Sequence, residues 1–596
     1  MSEVPTPLGF PAVSSDGQLT QLALSGDQVS ADTESRIQLG ADASVPHASV
    51  PHASVPHASG GNRVEPVSTL GWRWGLEVFL LLGLFFIYAG NSAPMVNEAH
   101  YLVMAKNYWD PGWCSHDIFV ASAKVHTTFY FLFGWPTKYL SLTQTAWLGR
   151  LVGWLLLAVG LQRLSSVLFY QSFLSLALAV LWIAGVEYGN LAGEWVVGGI
   201  EAKVPAYGLI LLALSCLVER RWNWVWVLLG AAAAFHVLSG GWAVIAAMGC
   251  WWMTERNRVG RIKLFTPALF LGGAISLLGL VPALSMSLGA DSEQAATAAR
   301  IYSYFRIKHH LLPADFFLGW YLRFAALALM MVGGVALYRK QDEGIRILAW
   351  FVSATLGISV VGLLLGFLPA YAPDLAAKLL RYYWFRLADA MVPLMVAVLV
   401  TRMLLDHRDR IRAIGWLGLL LAGSLCGNSV WYTARRAVPP SVSNDLLGFE
   451  AGASAAVQQQ VYRDWLNVCR WARTSSDEQE VFLTPRNQQT FKWFTGRAEV
   501  VNWKDVPQNP SALLEWYERF KEVYPSQIGN RRTANRVSIR YPSLLALRKK
   551  YGVRYLIVDR RVTGDNLPLL RIYPAAAEVN QTYAVYELPY PPNGVD

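Results

Sequence analysis

The run "WNWVWVLLGAAAAFHVLSGGWAVIAAMGCWWM" (222–253) decides how this chain is built. It is too long for one membrane crossing of about 20 residues and tight for two. Charge arbitrates. Arg220 and Arg221 precede it and "ERNRVGRIK" (255–263) follows it. Short flanks rich in Lys and Arg stay in the cytoplasm, so both ends of the run belong on the same side. Two crossings joined by a tight turn at "HVLSGG" (236–241) meet that condition; one crossing does not.

Worked outward, the same reading gives eleven spans: 72–90, 147–164, 168–186, 204–219, 222–236, 239–253, 264–286, 316–337, 347–369, 383–402 and 413–433. "RKQDEGIR" (339–346) and "RMLLDHRDRIR" (402–412) join the cytoplasmic flanks, whereas the long connections 91–146 and 288–315 carry fewer positive charges for their length. The N-terminus is therefore expected in the cytoplasm and both long loops outside. An odd number of spans then exports residues 434–596. There, helical stretches ("QQVYRDWLNVCRWAR", "PSALLEWYERFKEVY") alternate with strand-like runs ("EVFLTP", "VRYLIVD", "TYAVYEL"), the pattern of an α/β or α+β domain. The expected fold class is an α-helical polytopic membrane protein, with a transmembrane domain over 71–433 and an exported C-terminal α/β domain over 434–596.

Composition agrees. Hydrophobic residues make up 54% of the 596 positions and charged residues only 15%, well short of the quarter usual in soluble proteins. The net charge of +10 sits largely in short loops, where topology accounts for it, so it is no argument for nucleic acid. Residues 1–70 hold three tandem "VPHAS" units (45–59) and read as a disordered cytoplasmic segment, because a five-residue repeat with a proline in each unit builds no packed core. The five cysteines form neither a disulfide framework nor a zinc pattern; only Cys114 and Cys469 fall on the outer side, where they could pair. No Walker, dinucleotide-binding, HExxH or GxSxG element occurs, which argues against nucleotide-driven pumps and familiar hydrolases.

The chemistry gathers just after the first span, in "NEAHYLVMAKNYWDPGWCSHD" (97–117). Residues 97–109 are expected to form a helix lying on the membrane surface, with Tyr101, Leu102, Met104, Ala105 and Tyr108 partly toward lipid. Glu98 starts it; "DPGW" breaks it at Asp110, and Asp117 follows. A carboxylate held at that depth suits attack by an acceptor hydroxyl on a lipid-linked sugar, with cations stabilising the departing phosphate. The bland reading of the same residues is solvated loop charge.

An acidic first exported loop, about eleven spans and an exported C-terminal domain together resemble the GT-C superfamily of polyprenyl-phosphate-sugar-dependent membrane glycosyltransferases. The likeness is to uncharacterised bacterial multi-span members. Many of the superfamily carry an Asp-Glu pair here and a later "GDW"-like turn; this chain has "NEAHYL" and "YWDPGW". The resemblance makes Glu98 the candidate catalytic base, with Asn97 in place of the first acid. It implies a polyprenyl-phosphate sugar as donor, a protein, lipid or glycan acceptor, and a location in the bacterial inner membrane. It leaves a divalent cation (Mg or Mn) open, with Asp117 and His126 as candidate ligands.

Further candidates for holding the lipid phosphate lie apart in sequence. The loop ending "ARIYSYFRIKHHLLP" contributes Arg306, His309 and His310. "GGIEAKVPAYG" offers Lys203 beside Glu201, which meet only if Gly198, Gly199 and Pro205 hold a nonhelical turn, since residues two apart on a helix do not face each other. "RYYWFRLADA" offers Arg386, three residues before Asp389 and so able to pair with it, or free to bind phosphate in a cavity. Asp110 and Asp117 complete the expected substrate-binding set. The rival functions are a transporter or flippase for a lipid-linked anion, and a non-catalytic scaffold.

Overall fold

The computed structural model describes residues 67–95, 97–259, 264–286, 288–406, 454–524, 537, 540–564, 567–576 and 579–588. Helices dominate up to residue 406. In chain order they are α1 (Val67–Ala89), α2 (Glu98–Trp109), α3 (Ile118–Ala121), α4 (Thr127–Gly134), α5 (Leu142–Leu168), α6 (Leu174–Gly189), α7 (Lys203–Val218) and α8 (Trp222–Phe235). There follow α9 (Val237–Val259), α10 (Pro267–Ser285), α11 (Ser292–Arg300), α12 (Lys308–Leu311), α13 (Leu318–Tyr338), α14 (Glu343–Leu365), α15 (Pro373–Leu380) and α16 (Arg386–Asp406).

Among the described residues, seven helices (α1, α5, α9, α10, α13, α14 and α16) are long and apolar enough to cross a membrane, and α6, α7 and α8 are shorter apolar helices. The chain is a multi-pass membrane protein. Ten of the eleven expected spans are helices; the eleventh, 413–433, lies outside the described residues, as do residues 1–66 and the connection to the C-terminal region. The run 222–253 does divide in two. At His236 the backbone turns extended (φ −143°, ψ 97°), and the His236 Nδ1 accepts the Ser239 N–H at 3.1 Å, capping the start of α9. The short helix α7 is buried on nearly every side, which explains an apolar sequence with no polar stripe. Helices α8 and α10 touch backbone to backbone: a Cβ on Gly230 would sit 2.2 Å from the Gly272 carbonyl oxygen. Small residues permit such close crossings between membrane helices.

The C-terminal region is a five-stranded mixed sheet, order β2-β1-β3-β5-β4, formed by β1 (Val481–Leu483), β2 (Ala498–Glu499), β3 (Tyr555–Asp559), β4 (Leu570–Tyr573) and β5 (Tyr583–Glu587). Strands β2, β1 and β3 run parallel; β5 is antiparallel to β3 and β4. The apolar faces of β1 and β3 are covered by helices Ala455–Ser475 and Pro510–Val523, the two helices expected there. The described residues from Arg73 onward pack as one compact unit, so this region is not set apart from the membrane helices.

One expectation needs correcting. The helix after the first span exists, but it does not lie against lipid. Leu102, Met104 and Ala105 are buried, and α2 packs on α4 inside the protein; of the residues expected to meet lipid, Tyr108 is exposed. Cys114 and Cys469 are both free thiols.

Candidate functional site: a cation-lined cavity at one end of the bundle

At the end of the bundle where α7 and α16 begin, the chain between α6 and α7 (residues 190–202) is not helical. Two glycines make its path possible. Gly193 has φ +75°, a backbone conformation that L side chains rarely adopt. A Cβ on Gly199 would fall 2.8 Å from the Glu98 Cδ. This segment carries Glu194 and Glu201 to the two sides of the Lys203 ammonium, which contacts Glu194 and lies 3.0 Å from Glu201. The nonhelical turn needed for a Glu201–Lys203 pair is therefore present. Glu194 also reaches the Arg386 Nε at 2.8 Å. Glu201 accepts the Asn97 side-chain amide at 2.8 Å.

Arg386 does not pair with Asp389. Asp389 instead accepts the Leu191 and Ala192 backbone N–H groups, both at 2.8 Å, and pins the nonhelical segment to α16. A second Arg386 nitrogen lies 3.1 Å from the His236 Nε2, which brings the break between α8 and α9 up to this guanidinium. Arg306 ends a π-helical turn, Ile301–Arg306, in which the Ile307 N–H bonds back five residues to Tyr302. Its Nε donates to the Trp503 carbonyl at 2.7 Å.

These groups line one cavity of about 440 Å³. Its walls come from the start of α2, the segment 190–203, the π-helical turn with α12, the start of α16, and residues 489–508 of the C-terminal region. The lining holds four cationic side chains (Lys203, Arg306, Arg386, Lys504) against two carboxylates (Glu194, Glu201), so an anionic ligand is favoured. His309 and His310 also face it. Burial lowers His310 to about 4, with Arg386, Lys203 and Arg306 adding to the effect against a hydrogen bond to the Ala192 carbonyl. Burial and His310 lower His309 to about 3. Both rings are therefore neutral hydrogen-bonding groups at neutral pH.

That depression has a sign. An unfolded chain takes up these protons near the ordinary histidine value of about 6.5. The folded protein resists until about 4. Between those limits the unfolded state binds more protons, so stability falls as pH falls. The thermal midpoint of the purified protein is expected to drop between pH 7 and pH 5, and His310→Gln is expected to flatten that slope.

Of the expected site residues, Lys203, Arg306, His309, His310 and Arg386 converge on this cavity; Glu98, Asp110, Asp117 and His126 do not. The Glu98 carboxylate, 1% exposed, points the other way. It takes the Arg150 Nε and Nη2 at 2.6 Å each, the Met95 N–H at 2.6 Å and the Ile200 N–H at 2.8 Å. Both oxygens are thus doubly engaged in the interior. Asp110 lines a separate crevice of about 620 Å³. Asp117 caps α3 by accepting the Phe119 and Val120 N–H groups, and its second oxygen lies 3.2 Å from the Lys492 ammonium. His126 stacks on His236, ring centroids 5.2 Å apart, and burial lowers it to about 4. Asp117 and His126 thus have different partners. Among the described residues no group of three or more His, Cys, Asp or Glu side chains is arranged to hold a metal ion.

Sequence reading missed Glu194, whose signal was its place in a glycine-rich break between two apolar helices. It also missed Trp503 and Lys504, because the C-terminal wall of the cavity lies some 400 residues from α2 in the chain, and His100, whose direction on α2 only the fold reveals.

Fold and cavity together define a multi-pass membrane protein with a cation-rich pocket at one end of its bundle. A family model described as a domain of unknown function, DUF6798, matches residues 463–523. No curated protein matches the sequence. Among solved structures, ArnT from Cupriavidus metallidurans bound to undecaprenyl phosphate is 12% identical, with a TM-score of 0.44 over 88% of this chain and 99% of that one. The apo state of the same protein gives 12% identity and a TM-score of 0.40, over 88% of this chain and 100% of that one.

Proposed function

We propose that this protein is an integral membrane glycosyltransferase of the GT-C type. It moves a sugar from a polyprenyl-phosphate donor to an acceptor on the exported face of a bacterial inner membrane, with its N-terminus in the cytoplasm. The observation that carries the reading is the meeting of Lys203, Arg306 and Arg386, from three distant segments, around one cavity at the end of a membrane bundle. The bond to be broken joins the anomeric carbon to a phosphate oxygen. As it breaks, the lipid phosphate gains negative charge, and preorganised cations stabilise that transition state more than the ground state. His309 and His310, neutral, add hydrogen bonds. Residues 489–508 of the C-terminal region supply one wall of the cavity and, on this reading, help to choose the acceptor.

The test is to incubate the purified protein, with native membrane extract as acceptor source, with a panel of polyprenyl-phosphate sugars and to measure the freed lipid phosphate. Release with at least one donor is expected. Donor that binds or crosses the bilayer without release would favour a transporter. Arg306→Gln is expected to lower the rate about 100-fold, the usual loss when one charge-stabilising donor is removed. A rate within threefold of wild type would remove Arg306 from the site.

A further inference from the structure

The reaction proposed above needs a group to take the acceptor proton, and Glu98 is not in the cavity. Glu194 and Glu201 are, but their oxygens are taken up by Lys203, Arg386, Asn97 and the Trp195 N–H. His309 and His310 also line the cavity, but burial lowers them to about 3 and about 4, which makes them weak bases; His100 is the third imidazole there. His100 lies two residues after Glu98 on α2, about 200° around the helix at 100° per residue. The turn that sends Glu98 inward to Arg150 thus sends His100 into the cavity.

Its partners orient it. The His100 Nδ1 lies 3.3 Å from the Asp505 Oδ1. The other Asp505 oxygen lies 2.7 Å from the Lys492 ammonium and accepts the Asn502 amide at 2.8 Å. Burial opposes the charge of Asp505, yet Lys492 and His100 hold it well below the ordinary carboxylate range. A fixed anion at Nδ1 keeps the proton there and leaves Nε2 as the acceptor. No hydrogen bond to Nε2 occurs among the described residues. The ring is further held between Phe119 and Tyr101, with centroids at 4.3 and 5.6 Å. His126 lies nearby, and Glu201, Lys203 and Arg386 share the cavity.

We propose that His100 is the general base of this site and that Asp505, from the C-terminal region, is its positioning residue; this rests on the sugar-transfer reading. The His100 Nε2 removes the acceptor hydroxyl proton as that oxygen bonds to the anomeric carbon. The carbon–oxygen bond to phosphate breaks, its electron pair leaves with polyprenyl phosphate, and the proton passes from His100 to water. The site is then incomplete until the C-terminal region docks.

The experiment compares wild type with His100→Gln in the lipid-phosphate release assay over pH 5–9. It also measures binding of polyprenyl phosphate and repeats the assay with sodium azide, a nucleophile with no proton to lose. The variant is expected to bind polyprenyl phosphate as wild type does and to lose at least 100-fold in rate, the low end for general-base catalysis. Azide is expected to restore sugar release, as glycosyl azide, in the variant. A variant within threefold of wild type and with the same pH profile overturns the role of His100 alone. A hundredfold loss that azide does not relieve, with binding intact, also overturns it. A wild type that binds the lipid but frees none from any donor overturns the transfer reading, and the base with it.

Discussion

Lys492→Met is expected to destabilise the protein by about 3–5 kcal/mol, the range for breaking a buried ionic cluster from one side. The Lys492 ammonium, on a side chain 1% exposed, lies 2.6 Å from Glu499, 2.7 Å from Asp505 and 3.2 Å from Asp117. Burial works against the ammonium, but these three carboxylates hold its proton far above the ordinary lysine range. Methionine fills similar space and removes the only cation the three acids share among the described residues. Burial and its acidic neighbours already push Glu499 up, so the uncompensated acids take up protons. In wild type the depressed Asp505 contributes stability that is present above the unfolded value of about 3.9 and is lost in acid. In the variant Glu499, already raised, lacks its cation, so its protonation recovers part of the loss as pH falls toward 5, against the opposite contribution of His309 and His310. Thermal midpoints measured in detergent at pH 7 and pH 5 read both effects; an unchanged midpoint at pH 7 would show that the cluster is not what holds this corner together.

The second large effect is at Glu98. Glu98→Gln is expected to cost about 3–5 kcal/mol, because the Arg150 guanidinium, fully buried in α5, loses its counter-charge where water cannot replace it. The double variant Glu98→Gln/Arg150→Met is expected to recover much of that loss, since it removes the charge along with its partner. The cycle separates two roles. A base facing an acceptor would give a stable, inactive Glu98→Gln protein that Arg150→Met does not rescue. A structural anion gives an unstable one that it does.

Why the resemblance pointed at Glu98 is physically plain. An acid at the start of a helix after the first span is visible in "NEAHYL", but the direction of its side chain is not. That direction is set by Arg150, 52 residues later, and by the backbone of Ile200, 102 residues later. The helices were legible because each is an apolar run with charged ends, and the division of 222–253 into two helices followed from its length and the charge of its flanks. Strands β1, β3 and β5 were legible as β-branched and aromatic runs. Strand β2, two residues long, and β4, with an exposed Leu570, carry too little pattern to read. The cavity cations were legible as charges at the mouths of spans, where an ionisable side chain is costly without a purpose. Glu194, which orders Lys203 and Arg386, was not, because only the fold brings those partners near.

The bond between Asp117 and the sheet has a consequence for biogenesis. Asp117 accepts the Glu499 backbone N–H, 382 positions further along the chain. While the ribosome is still making the later helices, that aspartate has neither its lysine nor its strand, and it waits hydrated at the surface of a half-built bundle. The first loop therefore cannot reach its final shape during translation of the membrane helices; maturation ends only when the last part of the polypeptide has been made and seated on the first.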